Sequence, residues 1–179
     1  MKKGATEQTF IFIFALIVAA MILAWGAKTI LDLRNKAEQV QIGDAIEDIK
    51  EMAITYYNLE EGSSSPIEER FPNEVKCICF KNVFNPRETN VRNGVLIDGN
   101  NLDECDDNRL EAMLDSSALE YNIFITPFHK YAVTRFSAIK QVVPYFNGDE
   151  VRYVCFKNNK GKIDAIIESK GDRVYIKGA

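Results

Sequence analysis

The sequence predicts an α+β protein in which a long N-terminal transmembrane and stalk helix packs on a mainly antiparallel β-sheet head. Three observations predict this class: an uncharged apolar run near the N-terminus, an amphipathic pattern of three- and four-residue steps after it, and a series of short strand-like segments in the rest of the chain. The 179 residues carry 22 Lys and Arg against 26 Asp and Glu. Nucleic-acid binding requires a basic surface, so we expect no nucleic-acid partner.

The apolar run extends from residue 10 to residue 25, and the indole of Trp25 is its only hydrogen-bonding side chain. With the next two residues it would span about 27 Å as a helix, close to the ~30 Å thickness of a bilayer core. We therefore expect a transmembrane helix over residues 5–27. The apolar side chains expected to form its assembly surface, together with two from the segment that follows, are Phe10, Phe12, Phe14, Leu16, Ile17, Met21, Leu23, Ile30 and Leu33.

The charged residues that flank the apolar run predict its orientation in the membrane only weakly. Lys2 and Lys3 precede it, whereas Lys28 and Arg34 follow it. Four cysteines beyond the run are an even number suited to an oxidising compartment. We expect a cytoplasmic N-terminus and an extracellular head. The alternatives are a plain uncleaved anchor and a secretory signal peptide cleaved near Ala27.

The chain begins Met-Lys-Lys-Gly-Ala-Thr-Glu-Gln-Thr-Phe, which leads directly into the apolar run and then into the long amphipathic helix. Over about its first 55 residues the chain resembles an archaeal type IV pilin precursor. In that family a membrane peptidase removes a short basic leader that ends in Gly. By position the resemblance implies a leader at 1–4, with Gly4 its last residue and Ala5 the new N-terminus. The family more often places its acidic residue about five positions after the cut, whereas Glu7 is third. The resemblance implies a filament subunit.

Residues 28–59 are predicted to be an amphipathic stalk helix, in a helix extending from about Thr6 to Leu59. Gly26 and Gly43 are its weak points, and a bend is expected at Gly43. We expect the distal part of its apolar stripe to pack under the head and the proximal part to pack against neighbouring copies. The stripe consists of Ile30, Leu33, Ala37, Val40, Ile42, Ile46, Ile49, Ala53 and Tyr56 or Tyr57.

A loop at 60–73 precedes the predicted head at 74–179, since the loop is rich in Ser and contains Gly and Pro. A short helix is expected within 107–119. The last three predicted strands are joined by the turn sequences NNKG and KG, which favour β-hairpins. The predicted strands are 74–82, 121–127, 139–146, 151–158, 162–169 and 172–178.

An internal repeat relates residues 74–82 to residues 150–158 at an offset of 76, with six of nine residues identical. It predicts two equivalent strands side by side, each presenting a Cys at the same register. A bond between Cys77 and Cys79 is disfavoured by their spacing along one strand. Two pairings stay open: Cys77–Cys105 with Cys79–Cys155, or Cys77–Cys155 with Cys79–Cys105. The repeat favours the first. A four-thiolate zinc site is the alternative, but C-x₂-C pairs are absent.

No catalytic, cofactor-binding or metal-binding residues are predicted. The carboxylates around Cys105 lack the spacing of an EF-hand loop, and His129 has no nucleophile motif near it. We expect a non-enzymatic subunit of a pilus-like filament that self-associates through its N-terminal helix, contacts the membrane and meets other pilin-like or surface proteins. The alternative is a membrane-anchored extracellular binding domain that does not polymerise. The carboxylates in question are Asp103, Glu104, Asp106 and Asp107.

Overall fold

The computed structural model describes residues 4–82, 95–97, 122–127 and 142–179, together with Cys105 and Leu114. The chain divides into two compact units, residues 1–40 and residues 41–179. A single continuous α-helix, α1, extends from Gly4 to Tyr57, close to the predicted bounds. The helix continues through Gly43, where a bend was expected. Buried residues on both sides of Gly43, Ile42 and Ala45, anchor the helix in the core and offset the weak helix propensity of glycine.

The described residues form nine strands in two sheets. The five-stranded sheet has the order β1-β8-β9-β5-β6, and the four-stranded sheet has the order β3-β7-β2-β4. Most strand pairs are antiparallel, whereas β3–β7 and β5–β9 are parallel. These elements confirm the predicted α+β class. The strands are β1 Ser64–Pro66, β2 Cys77–Lys81, β3 Val95–Ile97, β4 Ile123–Thr126, β5 Val142–Phe146, β6 Asp149–Glu150, β7 Tyr153–Lys157, β8 Ala165–Ser169 and β9 Val174–Gly178.

The segment predicted as a loop contains a strand. In β1, Ser65 pairs with Ile167 of β8, and Pro66 lies on the sheet edge, where its missing N–H costs no ladder bond. Pro66 favours an extended backbone at Ser65 before it, but Pro is depleted in strands and nothing local indicates sheet pairing. The exposed edge of β8 therefore supplies the hydrogen bonds that make this segment a strand.

The first of the two predicted hairpins is wrong. Strands β7 and β8 belong to different sheets, and the NNKG turn between them carries the chain from one sheet to the other. Only an isolated bridge, Asn159 to Lys162, forms at this turn. The second hairpin is confirmed, because β8 and β9 pair antiparallel with Ile167 opposite Ile176. Of the helix predicted within 107–119, the structure describes only Leu114, a buried helical residue; the remainder lies outside the described residues.

One hydrophobic core joins the second half of α1 to the inward faces of both sheets. Ile42, Ile46 and Ile49 of the helix lie in this core with side chains almost fully excluded from solvent. Phe80 of β2 and Phe156 of β7 pack edge to face within it at a centroid distance of 6.0 Å. The core confirms that the distal apolar positions of the stalk pack on the head.

Candidate functional site

The apolar run of α1 is exposed on every side. All nine predicted assembly residues have exposed side chains, from 53% for Ile17 to 77% for Phe10. The helix is long and apolar enough to cross a membrane, and its most apolar stretch is not buried within the protein. A helix that is hydrophobic all round needs an apolar environment, either lipid or other helices. These features indicate membrane anchoring through the N-terminal helix.

Polar groups begin at Trp25, where the apolar run ends. Thr29 Oγ1 donates a hydrogen bond to the carbonyl oxygen of Trp25 at 2.9 Å, so its hydroxyl is satisfied within the helix. One further helical turn along, Arg34 Nε donates to Glu38 Oε1 at 3.2 Å. The Trp25 side chain is mostly exposed. An exposed indole next to the first charged turn is typical of a membrane interface.

Exposed apolar residues nevertheless continue past this boundary. Ile30, Leu33 and Val40 are each at least 60% exposed. The sequence predicts that these residues form one stripe with the distal residues from Ile42 onward, and this prediction is wrong. Two residues span about 200° of an α-helix, so Val40 and Ile42 lie on different sides of it. Accordingly Val40 is exposed and Ile42 is buried. The exposed and the buried apolar residues of the stalk therefore lie on different surfaces of the helix.

All four cysteines are bonded. Cys77 is linked to Cys105 with a Cα–Cα distance of 5.5 Å, and Cys79 is linked to Cys155 with a Cα–Cα distance of 4.0 Å. This is the pairing that the internal repeat favoured. The four side chains are almost fully buried. Two buried disulfides indicate that the head matures in an oxidising compartment.

The two halves of the repeat are neighbouring antiparallel strands. Strand β2 pairs with β7, and Cys79 lies directly opposite Cys155. The hydrogen bonds repeat as well: Asn82 N donates to the Arg152 carbonyl and Asn158 N donates to the Lys76 carbonyl, both at 2.8 Å. Because Asn82 corresponds to Asn158 and Lys76 to Arg152, a local two-fold axis passes through the Cys79–Cys155 bond. The repeat therefore forms the symmetric centre of the four-stranded sheet.

The outer face of the five-stranded sheet carries an aromatic and ionic cluster that the sequence did not predict. The rings of Tyr145 and Tyr175 stack at a centroid distance of 4.4 Å. Arg173 Nη1 donates to Glu150 Oε1 at 2.7 Å, and the Tyr175 hydroxyl donates to the same oxygen at 2.9 Å. Burial, followed by the hydrogen bond to Glu150, raises the pKa of Tyr175 to about 12.

A second ionic group lies on this face, at the β8–β9 hairpin. Lys170 and Lys177 both donate to the Glu168 carboxylate, Lys170 at 2.7 Å. Their hydrogen bonds lower the pKa of Glu168 below its ordinary value. Glu168 thus accepts hydrogen bonds from two ammonium groups, so this cluster of three ionised side chains keeps a net positive charge. The period-two positions of Glu168 and Lys177 were visible in the sequence, whereas their pairing requires the register of the hairpin.

The loop at 60–73 is held against α1 by polar contacts. Gln41 Nε2 donates to the carbonyl oxygen of Arg70 at 3.2 Å. The neighbouring residue, Glu69, lies close to Asp48. Partial burial, followed by repulsion from and hydrogen bonding with Asp48, raises the pKa of Glu69. Two carboxylates therefore lie side by side where the loop meets the helix.

Several predicted positions fall outside the described residues, namely the acidic turn around Cys105 and His129. Within the residues that the structure describes, no group of three or more His, Cys, Asp and Glu side chains is placed to hold a metal ion. Gly4 and Ala5, the expected processing positions, are the first two residues of α1.

Comparison with protein-family models, curated proteins and solved structures finds no match to this chain.

Proposed function

We propose that this protein is a structural subunit of an extracellular type IV pilus-like filament, assembled through its N-terminal helix. One observation carries the proposal: the exposed apolar residues of α1 continue from Phe10 to Val40, well beyond one bilayer thickness. At 1.5 Å per residue this stretch is about 45 Å long, whereas a bilayer core is about 30 Å thick.

A bilayer that covers residues 10–27 leaves Ile30, Leu33 and Val40 in water. Burying a side chain of this size contributes about 1.5–3 kcal/mol. Neighbouring helices of the same kind provide this burial along the whole stretch, both inside and outside the membrane. A filament core built from such helices removes all of this apolar surface from solvent and lipid, while the heads supply the outer surface.

Processing and orientation belong to the same proposal. Cleavage after Gly4 on the cytoplasmic side removes Lys2 and Lys3, and Ala5 becomes the first residue of a helix that is apolar from Phe10 onward. With the two lysines gone, the helix can leave the bilayer without drawing their charges through hydrocarbon, which would cost several kcal/mol. The head is then on the extracellular side, as its two disulfides favour.

The variant Gly4→Val tests the proposal in cells that produce the protein. We expect the precursor to accumulate in the membrane fraction and filaments to be absent in electron micrographs. Lys3→Arg, which keeps the leader charge, serves as the matched control and should assemble normally. Filaments of normal abundance from Gly4→Val would remove the proposal. The alternative, an anchored domain that does not polymerise, predicts no filaments from any of these proteins.

A further inference from the structure

The stalk part of α1 has a heptad register of apolar residues, which extends back to Leu16 through a run in which every position is apolar. Apolar residues at alternating steps of three and four form a seam along one side of a helix. By the same spacing the next three positions are Asp44, Glu47 and Glu51, all exposed carboxylates. The seam thus changes from apolar to acidic after Val40. Its apolar members, exposed except for the half-buried Gly26, are Leu16, Ala19, Leu23, Gly26, Ile30, Leu33, Ala37 and Val40.

Two copies packed in register along this seam are disfavoured. They would place Asp44, Glu47 and Glu51 opposite the same residues of the neighbour, and like charges at such positions repel. They would also place Leu23 opposite Leu23 and Ile30 opposite Ile30, and these large pairs would hold the helices apart at the small residues Ala19 and Gly26. A displacement of two heptads, 14 residues, removes both problems.

We propose that a second copy of this chain packs parallel to the first with an axial displacement of about 21 Å, so that residues 30–40 of one copy cover residues 16–26 of its neighbour. This inference rests on the proposed filament function and specifies its helix contact. Leu33 then lies opposite the neighbour's Ala19, and Ala37 lies opposite the neighbour's Leu23. Large side chains face small ones at these two contacts and where Val40 meets Gly26, whereas Ile30 meets Leu16; the small residues allow close helix packing.

The same displacement brings opposite charges together. Residues 28–36 contain three cations and one anion, whereas residues 44–51 contain four carboxylates and one lysine. With a displacement of 14 residues, Glu47 of one copy lies beside the neighbour's Arg34, and Glu51 lies beside the neighbour's Lys36. The Arg34 side chain is 65% exposed while it contacts Glu38. Complementary charges of this kind select one register over others.

The displaced arrangement can form in a filament but not between subunits that are still inserted in the membrane. Two copies inserted at the same depth in a bilayer are in register. Displacing one of them by about 21 Å would carry Lys28, Asp32 and Arg34 into the hydrocarbon core, which is costly. The acidic segment at 44–51 can therefore meet the neighbour's basic segment at 28–36 only when a subunit is moved outward into the filament. Before that step the like charges of two subunits in register oppose their pairing.

Cysteine cross-linking of assembled filaments tests the displacement. In the double variant Leu23→Cys/Ala37→Cys, each subunit can bond to two neighbours, so oxidation should produce a ladder of covalent oligomers. Each single variant should give no cross-linked product. The matched control Met21→Cys/Asn35→Cys keeps the same displacement on the opposite side of the helix and should also give none. The native cysteines are buried in disulfides and do not interfere.

Charge reversal provides an independent test. Lys36→Glu should lower filament yield several-fold, and adding Glu51→Lys should restore it. Covalent dimers from Ala37→Cys alone would indicate in-register packing and overturn the displacement. The displacement would also be overturned if filaments form but give no covalent oligomers and Glu51→Lys does not restore the yield of Lys36→Glu. That result would leave the proposed function intact. A wild-type protein that forms no filaments would remove both proposals.

Discussion

Replacing Ile46 with aspartate tests how α1 is held in the second unit. The Ile46 side chain is only 4% exposed and lies in the core shared by the helix and both sheets. Removing the isoleucine loses about 1.5–3 kcal/mol of apolar burial. A buried carboxyl group without a hydrogen-bond partner costs about 1–3 kcal/mol more. The variant should therefore lose roughly 3–6 kcal/mol, a large part of the 5–15 kcal/mol that stabilises a typical domain.

Thermal unfolding of the fragment beginning at Lys28 measures this loss. For a domain of this size each kcal/mol corresponds to about 2–4 °C, so the melting temperature should fall by about 6–24 °C. Burial raises the pKa of the introduced carboxyl, so its protonated form is favoured in the folded state. The deficit should therefore be smaller at pH 4 than at pH 7.

The matched control is Ile54→Asp on the same helix, where the isoleucine is 44% exposed. It should change stability by no more than about 0.5 kcal/mol. Equal melting temperatures for Ile46→Asp, Ile54→Asp and the wild-type fragment would refute the packing of this helix face against the sheets.

Two other predictions concern the disulfides and the loop at 60–73. Loss of Cys79–Cys155, which joins residues 76 apart in sequence, should remove roughly 4 kcal/mol by the chain-entropy model. Calorimetry of the variant Cys79→Ala/Cys155→Ala measures this loss, and reductant, which also opens Cys77–Cys105, should lower the stability of the wild type further. A chelator should have no effect, and alkylation of four free thiols in the untreated protein would contradict the prediction. Glu69→Gln should raise the melting temperature at pH 7 and leave it unchanged near pH 4. Because burial and Asp48 raise the pKa of Glu69, its stabilising contribution is complete below its unfolded pKa of about 4.3 and is lost as pH rises through the folded value. A pH series that shows equal effects at both values would contradict this assignment.

The sequence pattern was sufficient to predict the strands where a segment determines its own structure. The repeat at 74–82 and 150–158 predicted adjacent equivalent strands, and the structure places Cys79 opposite Cys155. It did not predict which sheet receives each later strand. The NNKG turn has the same local chemistry whether it closes a hairpin or carries the chain to another sheet, and only the packing of β7 and β8 decides between these outcomes.

Long-range pairing also explains what the sequence did not show. Ser64–Pro66 is a strand because β8 offers it an edge, and no local propensity indicates this pairing. Tyr145 and Tyr175 stack because β5 and β9 are parallel neighbours, a relation between residues 30 positions apart that composition does not reveal. The two surfaces of the stalk were joined into one predicted stripe, although the step from Val40 to Ile42 is too short to stay on one side of a helix.

The mature N-terminus of protein recovered from sheared extracellular filaments tests the central claim most directly. Intact-mass analysis under non-reducing conditions should give a chain that begins at Ala5 and carries two disulfides. A chain that begins at Met1 and remains in the membrane fraction, or a secreted chain that begins near Lys28, would contradict assembly through the N-terminal helix.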